Sequence, residues 1–474
     1  MVRVLLLCPP VSLDGPLVRP RHAPHHTAII AAALREAGHD VVVQDPHRDT
    51  NRLAPLVAAA RAARPDVLLL MQSDYNRKIA PQTQVRVAQA LRDGLPDVPM
   101  ALYGRLDART ARKSLASVPA ADVLLFGEPE FTVTTWVNAV RDGTEPLAAA
   151  SAMAGAAWRA SGDIELNDAE RPDLDASPVP AWDLVPLSAY AFAPHQQAAD
   201  VVFPVLASRG CPYPCFYCEV RARPRYIARS VDSVMDELRA IRDRYGARSV
   251  FFADPTFCID RAWTLELCER LEAEAWDLRW SCMSRTDRVD DELLQAMARA
   301  GCWNILFGIE SLNPDALEAS NKAMDPATVG PALAAARRAG IETIASLMVG
   351  LPGDSPASFE NTLNGLIELD PDFAQFFVLQ LDGTKGPAGG RFLSEWQGAK
   401  HDFWGRVYAS DSFDSEAQLQ ALRRRAFRRF YLRPRYIGGR VKALIRSDEP
   451  VAQLARVARG GLLAIRMAAG RGAA

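Results

Sequence analysis

Short apolar runs alternate with stretches of helical periodicity along the first third of the chain. The apolar runs predict five buried strands, at residues 2–7, 41–43, 67–71, 100–103 and 123–126. Strands that are apolar on both faces need helices on both faces of their sheet. We therefore predict an α/β, doubly wound (Rossmann-like) domain with a parallel sheet over residues 1–145, where ligands bind beyond the carboxyl ends of the strands.

Residues 146–195 interrupt this alternation. The segment is rich in Ala, Pro and Asp, and Pro172, Pro178 and Pro180 lie close together near its end. Prolines at this density fix an extended backbone and disfavour a helix. The pattern predicts a proline-rich linker between two domains.

A second alternation of strands and helices occupies residues 196–390. Its apolar runs predict six strands, at residues 201–206, 249–253, 278–285, 304–311, 343–349 and 373–379. Six strand and helix units predict a partial (β/α)6 barrel, whose chemistry is expected at the carboxyl ends of the strands. Beyond residue 390 the pattern changes and predicts a mostly helical C-terminal domain over residues 391–474.

Composition narrows the class of protein. A chain of 474 residues is too long for one hydrophobic core, and 49% hydrophobic with 24% charged residues is typical of a globular protein. A net charge of -2 provides no overall field that would attract nucleic acid. The sequence shows neither a signal-peptide pattern nor a run of about 18 apolar residues. We expect a cytoplasmic protein.

Three of the eight cysteines lie on one short segment. Cys211, Cys215 and Cys218 are spaced CxxxCxxC directly after the first predicted strand of the second domain. Three thiolates on one loop can bind three irons of a four-iron cluster and leave the fourth iron open to a ligand. A zinc site or a redox dithiol is the alternative, although no further Cys or His follows at a short spacing. The other five cysteines are scattered in surroundings typical of small buried hydrophobic residues.

This cysteine segment resembles the cluster-binding loop of the radical S-adenosylmethionine (SAM) enzymes, CxxxCxΦC at the end of the first barrel strand. The resemblance implies a 4Fe-4S cluster on the three cysteines, with SAM chelated by the open iron and cleaved to a 5′-deoxyadenosyl radical. It also implies an external one-electron reductant such as flavodoxin or ferredoxin. The positions that match the family's SAM-binding segments are Tyr217, Asp254, Ser284, Arg285, Glu310, Gly350 and Pro352.

The resemblance gives each of these positions an expected role. Asp254 would contact the amino group of SAM, or cap the turn that follows it. Residues 284–285 would contact the ribose and the carboxylate, since the fork of an arginine matches two carboxylate oxygens. Glu310 would accept hydrogen bonds from the ribose or the amine. Residues 350–353 and Tyr217 would lie along adenine, although residues 350–353 also fit an ordinary turn.

The first domain resembles the cobalamin-binding domain that precedes the barrel in a large subgroup of this family. The likeness consists of two prolines after the first strand and the sequence Gly-Glu-Pro-Glu after the fifth. It implies cobalamin contacts at Pro10, Ser73, Tyr75, Arg77, Gly104, Gly127, Glu128 and Glu130, with Tyr75 and Arg77 towards the lower face of the ring. Arg105 replaces the second glycine of the usual pair after the fourth strand, so an arginine stands where the nucleotide tail would pass. His47 does not match the cobalt-binding histidine motif, because Thr50 stands where that motif has glycine.

The resemblance as a whole implies a cobalamin-dependent radical SAM methyltransferase. Such an enzyme uses one SAM to methylate cob(I)alamin and another as the radical source. It transfers the methyl group through methylcobalamin to an unactivated carbon, or a phosphorus, of a small molecule such as a secondary metabolite or a lipid. A cobalamin-dependent cyclase or an oxidative rearrangement enzyme is the alternative within the family. A non-enzymatic protein that binds a structural metal and a ligand is the alternative outside it.

The C-terminal segment is locally basic, with eight arginines between residues 423 and 440. An acidic or phosphorylated substrate, or peripheral contact with a membrane surface, would explain such a charge. The alternative is a helix that packs its Leu and Phe side on the barrel and exposes its arginines. The sequence leaves these interpretations open.

Overall fold

A computed structural model describes residues 1–10, 13, 23–46, 50–74, 77–79, 81–104, 106, 108–190, 201–218, 220, 226–381, 388–393 and 406–445. Two large sheets organise these residues, one in each half of the chain. The predicted α/β class is confirmed.

The first sheet contains the five predicted parallel strands and orders them as a doubly wound fold. Its strands are β1 (Arg3–Leu7), β2 (Asp40–Gln44), β3 (Val67–Met71), β6 (Met100–Tyr103) and β7 (Val123–Leu125), in the order β2-β1-β3-β6-β7. Helices cover both faces: α1 (His25–Glu36), α2 (Leu53–Ala63), α3 (Pro81–Gly94), α4 (Ala108–Ser117) and α5 (Pro129–Arg141). Alternate residues of β1 serve separate cores, because Val4 and Leu6 enter one hydrophobic cluster and Leu5 and Leu7 the other.

Part of the predicted linker extends this sheet instead. Helix α6 (Pro146–Ser151) is followed by the strands β8 (Ala156–Ala160) and β9 (Asp163–Asn167), which add to the edge of β7 in antiparallel order. The two strands are joined by a tight turn in which Ser161 and Gly162 both have positive φ, 49° and 89°. Positive φ at both turn residues matches the twist of the two hairpin strands. The prolines that favour an extended backbone come later in the segment.

The second sheet confirms the six predicted barrel strands. They are β10 (Phe203–Val205), β13 (Ser249–Phe252), β14 (Arg279–Ser284), β15 (Cys302–Glu310), β16 (Glu342–Val349) and β17 (Phe373–Val378), all parallel and in chain order. The helices between them are α7 (Val231–Tyr245), α8 (Arg261–Glu274), α9 (Asp291–Arg299), α10 (Pro314–Ala319), α11 (Val329–Ala339) and α12 (Pro356–Leu369). Two short hairpins stand beside the sheets: β4 (Ser73–Asp74) with β5 (Arg77–Lys78), and β11 (Ser208–Arg209) with β12 (Ile227–Ala228).

The C-terminal extension combines helices with a small sheet that the sequence did not predict. Its elements are β18 (Gln380–Leu381), β19 (Gly390–Phe392), β20 (Arg406–Ser410), α13 (Glu416–Tyr431) and α14 (Pro434–Ile445). Helix α13 packs on the last barrel strand, where the rings of Phe427 and Phe376 lie 5.1 Å apart. Within the described ranges, no helix is long and apolar enough to span a membrane.

Several arginines of this basic segment pair with acidic residues of the barrel. Arg429 contacts Glu360 at 2.6 Å, Arg440 contacts Asp372 at 2.5 Å, and Arg433 pairs with Asp370. The acidic residues belong to α12 and to the loop that leads into β17. These pairs support the interpretation in which the helix packs on the barrel, since they account for much of the local positive charge.

Candidate active site

The three cysteines lie on a tight loop, residues 211–218, which we call the cysteine loop. Gly210, with a φ of 79°, turns the chain out of β11 and into this loop. The backbone N–H of Cys218 donates to the carbonyl of Cys215 at 3.1 Å, and Cys211 and Cys215 are buried. The loop stands at the carboxyl edge of the second sheet, where the sequence predicted the chemistry.

Burial and mutual repulsion make the bare thiolates of the cysteine loop unfavourable. Burial raises the pKa of Cys215 and that of Cys218, and the thiols of Cys215 and Cys211 raise the pKa of Cys218 further. The three sulfurs are therefore electrostatic neighbours that stabilise one another poorly as bare thiolates. A bound metal removes this penalty, because a coordinating thiol is deprotonated outright.

No group of three or more His, Cys, Asp or Glu side chains in the described part of the chain is arranged to hold a single metal ion. Thiolates that each bind a different iron need not converge on one point. The arrangement of the described side chains therefore argues against a site for a single ion, but it does not argue against a cluster.

Glu310 ends the fourth barrel strand in a strained conformation. Its φ is 69°, and the register of β15 against β16 shifts between Gly308 and Glu310. Its carboxylate is buried, and the Oε2 atom has no hydrogen-bond partner among the described residues. Burial raises the pKa of Glu310, while the ammonium of Lys322 lowers it. A buried, half-satisfied carboxylate in left-handed backbone indicates a position shaped for a ligand.

Lys322 is a site residue that the sequence analysis missed. Its Nζ atom lies 3.6 Å from Glu310 Oε1, and its side chain is buried. The flanking residues Asn321 and Ala323 have φ values of 50° and 47°, so two strained residues hold the lysine in place. No motif or periodicity marks this lysine, because it lies on a loop between helices α10 and α11 and not at a strand end.

Arg285 holds the lysine loop, residues 320–323, against the cysteine loop. Its guanidinium donates to the carbonyls of Lys322 and Ala323 at 2.7 Å each, and to the Asp287 carboxylate. The same group lies 3.8 Å from the centre of the Tyr213 ring. These partners make Arg285 a structural link between the two loops, and its predicted contact with SAM stays a prediction.

A second contact joins the two loops, and two of the predicted SAM residues have buried hydroxyls. The backbone N–H of Phe216 donates to the carbonyl of Ser320 at 3.2 Å. Burial and the Glu310 carboxylate raise the pKa of Tyr217 well above its ordinary value. The Ser284 hydroxyl is buried with no hydrogen-bond partner among the described residues. The contacts of both hydroxyls with SAM stay predictions.

The remaining predicted SAM residues have contacts within the protein. The carboxylate of Asp254 accepts from the backbone N–H of Ala207 at 3.2 Å and from the Ser208 hydroxyl, which ties the strand before the cysteine loop to β13. Gly350 has a φ of 97°, and an added Cβ would lie 3.2 Å from Leu419 of α13. Pro352 is buried in the same turn. Their contacts with SAM stay predictions.

The predicted cobalamin residues that the structure describes follow strands of the first sheet at its carboxyl edge. Pro10 is buried after β1, and an added Cβ at Gly104 would lie 3.1 Å from the Gln72 side chain. Gly127, with a φ of 113°, begins the turn into α5. Tyr75, Arg105 and His47 lie outside the described residues, as do the side chains of Ser73 and Arg77.

Glu128 and Glu130 have a partner in the other domain. Glu128 Oε2 lies 3.2 Å from Arg209 Nε, and Glu130 Oε1 lies 3.5 Å from Arg209 Nη2. The Ser177 hydroxyl also donates to Glu130 at 2.6 Å. Both carboxylates are thus held by protein groups, and their predicted cobalamin contacts stay predictions.

The described residues at the switch point of the first sheet carry no charge, as expected beside a neutral ring. In the strand order β2-β1-β3-β6-β7 the winding reverses between β1 and β3, which is where such sheets bind their ligands. The residues there, Cys8 to Pro10 and Gln72, are buried and uncharged. Such a surface suits the apolar face and the amide groups of a corrin.

A three-cysteine loop at the carboxyl edge of a six-stranded parallel sheet defines the radical SAM class of proteins. Residues 205–366 match the model of the Radical SAM superfamily. The chain therefore contains a radical SAM domain, and its predicted resemblance to the cobalamin-dependent radical SAM enzymes is confirmed at the level of the fold.

Comparison with known proteins extends the likeness to both domains. The chain is 27% identical over 448 residues to an uncharacterized methyltransferase of Pyrococcus horikoshii, covering 92% of this chain and 94% of that protein. It is 26% identical over 409 residues to the anaerobic magnesium-protoporphyrin IX monomethyl ester cyclase of Synechocystis, covering 81% and 80%. The radical SAM methyltransferase TsrM of Kitasatospora setae, solved with cobalamin and a [4Fe-4S] cluster, superposes with a TM-score of 0.69 at 16% identity, covering 89% and 91%.

Proposed function

We propose that this protein is a cobalamin-dependent radical SAM methyltransferase that acts on an unactivated carbon, or a phosphorus, of a small molecule. The observation that carries its SAM site is the buried pair of Glu310 and Lys322 beside the cysteine loop, in which Glu310 has a φ of 69°. A carboxylate and an ammonium 3.6 Å apart suit the amino and carboxylate groups of an α-amino acid, which is the part of SAM that the cluster would bind.

Cys211, Cys215 and Cys218 would hold the 4Fe-4S cluster, and the carboxyl edge of the first sheet would hold cobalamin. When bound, these cofactors supply a 5′-deoxyadenosyl radical from SAM and a transferable methyl group. The chain itself binds and orients the cofactors and the substrate, and it excludes water from them.

Each charged residue has a defined task in this proposal. The Glu310 carboxylate would accept hydrogen bonds from the amino group of SAM, and the Lys322 ammonium would pair with the carboxylate of SAM. Arg285 acts as a positioning residue, because its guanidinium binds the backbone carbonyls of Lys322 and Ala323. The buried Ser284 and Tyr217 hydroxyls offer hydrogen bonds to the ribose or the adenine.

The overall stoichiometry follows from the chemistry of the two SAM molecules. One becomes S-adenosylhomocysteine, and the other becomes methionine and 5′-deoxyadenosine. Two electrons come from an external one-electron donor such as flavodoxin or ferredoxin. A cluster that depends on reduced thiols also favours the cytoplasm as its compartment.

The test is an anaerobic assay with SAM labelled with deuterium in its methyl group. Reconstituted protein, dithionite and pools of candidate metabolites are expected to give S-adenosylhomocysteine and 5′-deoxyadenosine in equal amounts, with a product heavier by a labelled methyl group. Formation of 5′-deoxyadenosine with an unlabelled, oxidised product would contradict methyl transfer.

A cyclase is the second candidate, because a cyclase relative covers 81% of this chain. The same assay separates the two reactions. A cyclase or an oxidative rearrangement enzyme yields a product that has lost hydrogen and carries no label. A secondary metabolite or a lipid is the substrate class that we favour for the methyltransferase.

A further inference from the structure

Arg209 forms a buried ion-pair triad with two glutamates of the other domain. The side chain of Arg209 is 4% exposed, and those of Glu128 and Glu130 are 14% and 1% exposed. A buried guanidinium needs carboxylate partners to offset its lost hydration, and Arg209 has two of them in the other domain.

The three residues occupy the two edges where the proposed function places its cofactors. Arg209 ends β11 and is separated from Cys211 only by Gly210. Glu128 and Glu130 begin α5, directly after Gly127 and the end of β7 in the first sheet. The triad thus joins the entrance of the cysteine loop to the carboxyl edge of the first sheet.

The segment before the cysteine loop is held from two sides. Asp254 of the barrel accepts from Ala207 and Ser208, and the first domain pairs with Arg209. Three consecutive residues are therefore bound to carboxylates of two different domains. A shift of either domain must move this segment, and the cysteine loop begins two residues later.

Stability alone is a weak reason for such an arrangement. A buried ion pair is often no more stabilising than a well-packed apolar replacement, whereas loss of one partner leaves an unpaired charge. Glu130 also keeps its Oε2 atom without a hydrogen-bond partner in the described ranges. The gain from the triad is geometric, since a forked guanidinium fixes the direction between its partners.

We propose that Arg209 is a positioning residue that fixes the cysteine loop to the carboxyl edge of the first sheet through Glu128 and Glu130. This proposal rests on the proposed function, in which the two edges hold the cluster and cobalamin. It predicts that binding at one edge changes affinity at the other, because the triad transmits the position of the loop.

The first test uses the full chain without cofactors and measures amide hydrogen exchange. In Arg209→Gln we expect the peptides that contain residues 127–132 to exchange at least about tenfold faster than in the native chain. The matched control is Glu237→Gln, which removes a buried ion pair with Arg229 that lies within the second domain. Unchanged exchange at 127–132 in Arg209→Gln, or an equal increase in the control, would overturn the proposal.

Should Arg209→Gln fail to fold, the pair Arg209→Lys and Glu130→Gln replaces it. Lysine keeps the charge and loses the fork, and glutamine keeps the size of Glu130 and loses its charge. Both are expected to speed exchange across the domain boundary, at residues 207–209 for Glu130→Gln and at residues 127–132 for Arg209→Lys. Protection equal to that of the native chain in both variants would refute the role.

The second test measures the linkage between the two cofactor edges. The Kd of SAM is determined anaerobically on cluster-loaded protein with and without hydroxocobalamin. We expect cobalamin to change this Kd by at least about fivefold in the native chain and Glu237→Gln, and to leave it unchanged in Arg209→Gln. The same change in the Kd of SAM in all three proteins, or an unchanged Kd in the native chain, would contradict the linkage. A protein that binds no cobalamin would defeat the proposed function, while the exchange test still decides the positioning role.

Discussion

Lys322 and Glu310 are both buried, and each neutralises the charge of the other. Removal of either side chain would therefore leave a buried, unpaired ion. The pair lies at the base of the cysteine loop, where Arg285 and two left-handed residues keep the lysine from turning away. At the scale of single residues, this balance is what we expect SAM binding to depend on.

We predict that Lys322→Met weakens SAM binding. Loss of a charge-assisted contact should raise the Kd of SAM at least about tenfold in calorimetry on the cluster-loaded protein. Lys113→Met, which removes an exposed lysine of α4, is the control and should leave the Kd unchanged. Equal affinity in Lys322→Met and the native chain would remove Lys322 from the site.

The sequence revealed Glu310 but not Lys322, and the reason is physical. Glu310 ends a nearly continuous apolar run, and a charge there has no place in a core. Lys322 follows a short helix in a polar stretch, where a lysine is ordinary. Its burial comes from the carbonyl contacts of Arg285, and no local pattern encodes a contact 37 residues away.

At the scale of elements, two glycines of the barrel have nearly the same backbone conformation but different surroundings. Gly353 has a φ of 76°, and an added Cβ would lie 2.8 Å from the Asp315 carbonyl oxygen. Gly340 has nearly the same φ, 77°, but open space around it. This pair separates backbone strain from steric clash.

We predict that Gly340→Ala lowers the free energy of unfolding by about 1 kcal/mol through strain alone. Gly353→Ala should cost at least about 1 kcal/mol more, because the clash adds an overpacking penalty. Urea unfolding of the two variants measures the difference. Equal costs would mean that the turn after β16 relaxes freely.

The helix α9 provides a prediction with a defined pH dependence. Asp290 caps the helix by accepting from the Leu293 N–H at 2.8 Å, and its pairing with Arg261 lowers the pKa of Asp290 below the ordinary value. A lowered folded-state pKa contributes stability above the ordinary carboxyl pKa, and this contribution is lost as the pH falls through the lowered value.

Asp290→Ala should therefore destabilise the protein by about 1 kcal/mol near neutral pH. The deficit should shrink on acidification below about pH 4. Asp290→Asn keeps the capping oxygen and is expected to show a smaller deficit. Thermal unfolding across this pH range measures both, and a deficit that grows towards low pH would contradict the assigned sign.

Eleven parallel strands of the two large sheets could be predicted, because each is a buried apolar run between helices of regular period. The β8–β9 hairpin could not, although Ser161 and Gly162 carry a turn signal, since the prolines downstream dominate the composition of that segment. The strands β18–β20 were missed because each is short and follows no clear alternation. Local pattern thus predicts central strands better than edges.

At the scale of the whole molecule, the C-terminal extension is part of the barrel structure. Phe430 of α13 is fully buried and packs near Phe376 of the last barrel strand. Phe430→Ala should lower the free energy of unfolding by about 3–5 kcal/mol. Leu432→Ala, two residues away and 58% exposed, is the control and should change it by less than about 0.5 kcal/mol. Chemical unfolding of both variants checks this, and a small effect at Phe430 would mean that α13 is separable from the barrel.

The contact between the two domains could not be predicted from the sequence. Composition and motif strings indicated two domains and their cofactors, but nothing in the chain pattern connects Arg209 with Glu128 and Glu130. A contact of this kind depends on how two folded surfaces meet. It gives three residues a role that their motif positions did not suggest.

In the proposed function, Cys211, Cys215 and Cys218 together hold one four-iron cluster. The most direct measurement is iron content and absorption near about 400 nm after anaerobic reconstitution, for each cysteine changed to alanine. We expect about four irons per native chain and loss of the cluster in each of these three variants. Cys258→Ala and Cys282→Ala, whose thiols are buried elsewhere in the barrel, should retain the cluster in full. Native iron content and colour in any of the three loop variants would contradict this proposal.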